Sequence, residues 1–248
     1  MHTPIHKKYL VNFIGFLFLV YCTDALAQNE YIDYRSATNP LYWKNRKPYE
    51  GYWQQDVHYN IKAELNDSTD ILTGSEELIY WNNSPYTISY VYFHLYNNAQ
   101  TQDSYLADLY KNNNYRLKFG KYRSQNLGTQ VETARSEGQV LKTELDNTIL
   151  KVYLAKPLAT GESVTLNLDF KTYFDKEVIR NRMKMFNSSG KKHYDIVHWY
   201  PRITVIDRKF VWNTDQHMDH EFYGDFGSFN VEMTLPNEYI GDGTGTLI

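Results

Sequence analysis

Between Trp53 and Leu65 the chain alternates almost without error. Trp53, Val57, Tyr59, Ile61, Ala63 and Leu65 share one parity, and His58, Asn60, Lys62 and Glu64 take the other. Successive side chains of a β-strand point to opposite faces, so this stretch predicts a strand with one buried and one wet face. Asn66-Asp67-Ser68 is a turn signal, and Ile71 to Trp81 reads as an antiparallel partner closed by Asn82-Asn83-Ser84-Pro85.

The same period returns along the chain. Val91, Phe93 and Leu95 alternate with Tyr92 and His94, and a polar, helix-compatible stretch follows around Ser104 to Tyr110. Lys111 to Gly138 is rich in Asn, Arg, Gln and Gly, with alternation only at Tyr115, Leu117 and Phe119, and predicts short strands or irregular loop. Leu150, Val152 and Leu154, a turn over Pro157 to Glu162, and Val164, Leu166, Leu168 and Phe170 predict a hairpin-like pair. Phe229, Val231, Met233 and Leu235 form a last one-sided strand, stopped by Pro236-Asn237.

Short alternating segments parted by turn residues, with no long amphipathic helix, specify an all-β fold: an antiparallel β-sandwich or a saddle-shaped curved sheet. Composition agrees. The 248 residues are 42% hydrophobic, which suffices for one sizeable core, and 16% aromatic with 23 tyrosines, residues that suit a half-buried pleated surface. Those rings either fill the sandwich and its rim or form an exposed platform for sugars or peptides. A balance of 26 basic against 29 acidic residues offers no broad positive field, which argues against nucleic acid and anionic lipid as partners.

The amino terminus carries its own signal. His6, Lys7 and Lys8 precede an apolar run from Tyr9 to Cys22, and Ala25-Leu26-Ala27 gives the small-residue pattern of a signal-peptidase site. Residues 1–27 are therefore expected to be a signal peptide cleaved before Gln28, directing the chain to the periplasm or outside the cell. The run is shorter than the ~20 residues a membrane-spanning helix needs, so no membrane attachment is expected after cleavage. Lipidation at Cys22 is disfavoured by the bulky Tyr21 before it. Cleavage would remove the one cysteine of the chain, leaving neither disulfide nor thiolate nucleophile. Residues 28–49, polar with scattered aromatics and two prolines, read as a linker or extended arm leading into a domain over 50–248.

Several motifs in order resemble the amino-terminal β domain of the aminopeptidase-N-like zinc metallopeptidases, which are gluzincins. They are Asp56-Val57-His58-Tyr59, Leu72-x-Gly74-x-Glu76, Val91-Tyr92-Phe93-His94-Leu95 and Pro157-Leu158 with Gly161-Glu162. Further on, Trp199-Tyr200-Pro201, the Asp207 to Trp212 segment and Glu221-Phe222-Tyr223-Gly224-Asp225-Phe226-Gly227 are similar to a secreted bacterial subgroup. The resemblance implies a saddle-shaped domain that packs against a thermolysin-like catalytic domain and borders its cleft, where a peptide substrate would be met only with both domains present. It places zinc in that second domain, on a H-E-x-x-H helix with a distant Glu, beside a G-x-M-E-N strand; neither motif occurs here. The chain alone is thus expected to be non-catalytic and to hold no cofactor. Family members often carry an amine-contacting Gln where this chain has Lys191-Lys192-His193-Tyr194-Asp195, so no substrate-binding residue is assigned.

Other constellations read more plainly. His217, His220 and Glu221 are the densest group of possible metal ligands, but their spacing matches no zinc helix and Gly224 and Gly227 follow, so a surface loop is the expectation. Glu76 and Glu77 are adjacent on an expected strand, where their side chains point to opposite faces, which argues against a glycosidase dyad. Gly241-Asp242-Gly243-Thr244-Gly245 lacks dinucleotide-loop spacing and reads as a turn between strands. His58 and His94 are expected in surface or hydrogen-bonded roles. No G-x-S-x-G elbow marks a nucleophile. The alternative to a supporting domain is a self-standing secreted module that binds glycans or peptides through aromatic side chains.

Overall fold

A computed structural model describes residues 35–46, 50–176, 183–218 and 222–248. The proposed signal peptide, His220 and Glu221 lie outside the described residues, as does part of the 28–49 arm. The strands are β1 (Asp56–Asn66), β2 (Ile71–Trp81), β3 (Ile88–His94), β4 (Thr129–Ser136), β5 (Gln139–Val140), β6 (Thr143–Asp146) and β7 (Ile149–Leu158). They continue with β8 (Ser163–Tyr173), β9 (Met183–Ser188), β10 (Lys191–Ile196), β11 (Arg202–Ile203), β12 (Ile206–Asp207), β13 (Val211–Trp212) and β14 (Gly227–Thr234).

A six-stranded sheet runs in the order β14-β1-β2-β8-β4-β5, and a four-stranded sheet in the order β11-β3-β7-β6. Their inner faces share one core: Tyr59, Ile61, Leu72, Leu78, Leu166, Leu168 and Phe170 from the first meet Val91, Phe93, Leu150 and Val152 from the second. Burying each such side chain contributes about 1.5–3 kcal/mol, which holds the sandwich closed. Hairpins β9–β10 and β12–β13 complete the strands. The fold is an all-β sandwich, with strands dominating the described structure.

Alternation predicts the β1–β2 pair, which runs in unbroken antiparallel register from Asp56 opposite Trp81 to Asn66 opposite Ile71. Asn66 Oδ1 accepts the amides of Ser68 and Thr69 to close the turn. The helix-compatible stretch is α1 (Tyr105–Asn112), started by Ser104, whose hydroxyl accepts the Ala107 amide.

Two expectations, the hairpin over 150–170 and the wet face of β1, need correction. The strands around 150–154 and 164–170 are not a hairpin: β7 pairs with β3 and β6, while β8 pairs with β2 and β4. The turn between them, with Gly161 at φ +87°, carries the chain from one sheet to the other. Lys111 to Gly138 meets its expectation of short strands or irregular loop: the chain is irregular around Tyr115, Leu117 and Phe119, and β4 is its strand. Most strand pairs are antiparallel, but β14 lies parallel to β1, from Gly227 opposite Val57 to Thr234 opposite Glu64. That edge strand covers part of the predicted wet face: His58 is buried, with Nδ1 2.6 Å from Ser228 Oγ and Nε2 3.1 Å from Asn60 Oδ1.

The described part of the arm is docked. Tyr42 and Trp43, in and beside a 3-10 turn (Trp43–Asn45), are buried and donate from Tyr42 Oη and Trp43 Nε1 to the Asp56 carboxylate at 3.1 and 3.0 Å.

Candidate functional site

Several of the motif residues, Tyr59, Phe93, His94, Tyr200 and Gly224 among them, meet where β11 runs between the sheets. Pairing of Arg202 and Ile203 with His94 and Phe93 carries the segment after Trp199-Tyr200-Pro201 across the end of β3. There Ile203 donates its amide to Tyr59 Oη at 3.1 Å. The Tyr59 ring stacks on Phe229 of β14, with centroids 4.6 Å apart and planes 3° apart, and meets Tyr200 edge-on at 5.6 Å.

Glu76 lies beneath this junction. It projects into the core from the middle of β2, opposite Ile61 and Leu168, is 1% exposed, and neither carboxyl oxygen has a hydrogen-bond partner. Burial pushes its carboxyl well above the usual range, so it is a neutral acid. Glu77 points to the other face and accepts from Asn60 Nδ2 at 3.1 Å. Sealed and neutral, Glu76 cannot serve as a solvent-facing base.

A second group surrounds Tyr96. Its ring stacks on His94 at 4.7 Å and meets His198, His217 and Phe222 edge-on at 5.1, 5.3 and 4.7 Å. Burial holds His94 down at about 4 and Tyr96 up at about 12. Tyr200 is likewise pushed up to about 12 by burial. His217 sits on irregular chain rather than a helix and is fixed by its amide to Thr148 Oγ1 at 3.0 Å. Among the described residues no group of three or more His, Cys, Asp or Glu is arranged to hold a metal ion.

Arg202 links the two groups, its charge reaching Tyr59, His94, Tyr96, Tyr200 and Asp225. Its guanidinium lies against Gly224, where a β-carbon would overlap it. Burial first, then the charges of Asp56 and Asp207, raise the Asp225 carboxyl to about 8, and its Oδ2 is sealed without a partner. Sequence reasoning missed both Arg202 and Asp225 as site residues, because a lone Arg after Pro and an Asp between aromatics carry no spacing signal.

No protein-family model and no curated protein matches the chain. Among solved structures it is similar to an M1 zinc metallopeptidase from Deinococcus radiodurans, at 18% identity and a TM-score of 0.43 over 75% of this chain and 33% of that one. A second structure of an M1 zinc metallopeptidase from that organism matches at 18% identity and a TM-score of 0.43, over 77% and 34% of the two chains. A two-domain M1 zinc metallopeptidase bound to L-tryptophan matches at 18% identity and a TM-score of 0.42, over 75% and 34%. The chain thus spans about a third of the length of these structures.

Away from the junction, a shallow cavity of about 370 Å³ is lined by Asp103, Asp108, Asp146, Asn126 and Tyr105 among others. Two of its carboxylates already have donors: Asp103 from Asn126 Nδ2 at 2.6 Å and Asp146 from Tyr105 Oη at 3.0 Å.

Proposed function

We propose that this chain is the non-catalytic amino-terminal β domain of an exported, aminopeptidase-N-like zinc metallopeptidase, and that it supports and borders the active-site cleft of a separate catalytic domain. The observation that carries this reading is convergence. Tyr59, Glu76, Tyr200 and Asp225, drawn from motifs that resemble that family, gather around one junction of the sandwich although 166 residues separate the first from the last. Zinc belongs, on this reading, to the thermolysin-like catalytic domain, and peptide substrate is bound only when both domains are present.

A surface fit for a second domain supports the reading. On the edge strand β14 and just before it, Phe226, Val231 and Phe229 are 78%, 51% and 42% exposed. Contiguous apolar side chains on an uncovered sheet edge mark an interaction surface.

The rival, a glycan- or peptide-binding module, requires a flat row of rings. The row that exists, Tyr153–Tyr90–Tyr92–Trp212, is edge-on throughout, with interplanar angles of 66°, 75° and 71°. Lys151 Nζ sits 4.0, 4.7 and 5.6 Å over Tyr90, Tyr153 and Tyr92, occupying faces a sugar would stack on.

The test is hydrolysis of aminoacyl-anilides by the purified chain with added zinc. No release is expected from the chain alone, whereas chelator-sensitive turnover would refute the reading. Export is checked by the intact mass of secreted protein, expected to begin at Gln28.

A further inference from the structure

We infer that the open edge of β14 takes an extended strand of the second domain by main-chain pairing, and that this strand carries apolar side chains at alternate positions. The inference rests on the two-domain reading above and names how the two parts meet. Among the described residues β14 borders the six-stranded sheet, with β1 on one side and no strand on the other. Its eight residues keep unbroken register with β1 from Gly227 to Thr234. Successive residues of a strand direct their N–H and C=O groups to opposite sides, so half of them leave both groups without a strand partner along an edge about 26 Å long.

The other borders of the two sheets are guarded. Beyond β4 lies only the two-residue β5, and the pairing of β4 with β8 slips between Val131 and Thr133. β6 is four residues long and carries Glu144 and Asp146. β11 has two residues, and beside it the register of β3 with β7 slips between Ile88 and Tyr90. Short strands, charges and bulges are how sheets avoid pairing with a neighbour. β14 lacks these guards: it has no proline and no bulge, and its one charge, Glu232, is tied to Lys62 at 3.0 Å.

The side chains define what covers the edge. Phe229, Val231 and Met233 stand opposite the core residues Tyr59, Ile61 and Ala63 and share their inner face, while Ser228, Asn230 and Glu232 stand opposite His58, Asn60 and Lys62. The outer row is already bonded, His58 to Ser228 and Asn60 to Asn230. The inner row is not finished, because Phe229 and Val231 remain exposed beside a closed core. An apolar neighbour is therefore missing on one face only, which asks for apolar residues at every second position of the incoming segment. A helix or a lipid surface would cover the side chains and leave the amides and carbonyls of the edge unpaired, whereas a strand satisfies both.

The experiment uses the whole chain and a fluorescently labelled peptide, acetyl-Lys-Thr-Val-Thr-Val-Thr-Val-Thr-Lys-amide. Its anisotropy is expected to rise saturably, and hydrogen exchange followed by NMR is expected to slow at alternate amides of residues 227–234. Methylating two adjacent central amides blocks both edges of the peptide and should weaken binding by about tenfold or more. Gathering the valines into one block should weaken it similarly. Val231→Lys should abolish binding while its melting curve reports a folded chain, and Val231→Thr, which keeps the branched shape, should retain it. Unchanged exchange over 227–234, or equal binding of the methylated peptide, would overturn the inference. So would a wild-type dimer in light scattering that Val231→Lys dissociates, since the edge would then belong to a second copy. Hydrolysis by the chain alone would refute the two-domain reading while leaving peptide pairing as measured, so the two failures are told apart.

Discussion

Gly74 of β2 lies directly beneath the Phe170 ring of its partner strand β8, so that a β-carbon at position 74 would overlap the ring. Leu72, Gly74 and Glu76 all face the core, and the glycine is what lets a fully buried aromatic lie across the strand. Gly74→Ala is expected to destabilise the chain by about 1–3 kcal/mol through overpacking. Urea denaturation measures this, and the added substitution Phe170→Leu should recover part of the loss.

Asp56 holds the arm to the sandwich. It is 1% exposed and takes Tyr42 Oη, Trp43 Nε1, Asn83 Nδ2 and Arg35 Nε. Asp56→Ala leaves those donors unmet and a buried partner uncompensated, a change that costs about 3–5 kcal/mol when such a pair is broken. Protease cleavage between residues 35 and 46, slow in the parent chain, should become the first cut, with a red shift of tryptophan emission as Trp43 is released.

Asp225 predicts a dependence on pH with a definite sign. Its carboxyl is raised from 3.8 to about 8 by burial, with Asp56 and Asp207 raising it further and Arg202 opposing them. The unfolded chain ionises this group near pH 4 while the folded chain keeps it protonated, so stability falls as pH climbs from about 4 to about 8 and then levels. Asp225→Asn should remove that fall. Melting temperatures are expected to match the parent near pH 4 and to exceed it near pH 8.

His94 works in the opposite direction. Burial lowers it from 6.5 to about 4, and Asn213, His217 and Arg202 face it. The stability it contributes as a neutral ring is present above about pH 6.5 and is lost as pH falls toward 4. His94→Gln is expected to flatten the acid limb of a stability profile measured by urea melts between pH 7 and pH 4.

Glu76 is a buried acid without a partner, and burying a polar group with no hydrogen bond costs about 1–3 kcal/mol. Glu76→Met should therefore raise the melting temperature at pH 7. A drop instead would mean that the carboxyl has a bonding role which the sealed geometry does not contain.

The face each residue takes was legible in the chain wherever the period of two was clean, as in β1 and β2, where a short turn also named the partner. Partner choice failed for β7 and β8. Both bury one face in the same core, so their local patterns match those of a hairpin, and only the non-local partners β2, β3 and β4 tell them apart. The wet face predicted for His58 failed similarly, because the strand that covers it arrives 170 residues later. At the junction, the motifs around Tyr59, Glu76 and Tyr200 were visible as a resemblance, but their meeting depends on β11 crossing to β3. Nothing in the spacing of residues 199–227 encodes that crossing.

The parallel pairing of β14 with β1 has a consequence for how the chain is made. Translation at about 5–20 residues per second leaves the outer edge of β1 bare for on the order of ten to thirty seconds before its neighbour is synthesised. Through that interval Val57 to Glu64 offer open amides and carbonyls to any other nascent strand. A product truncated before Gly227 would keep them open permanently and should recover as aggregates, however well the remainder of its sheets had assembled.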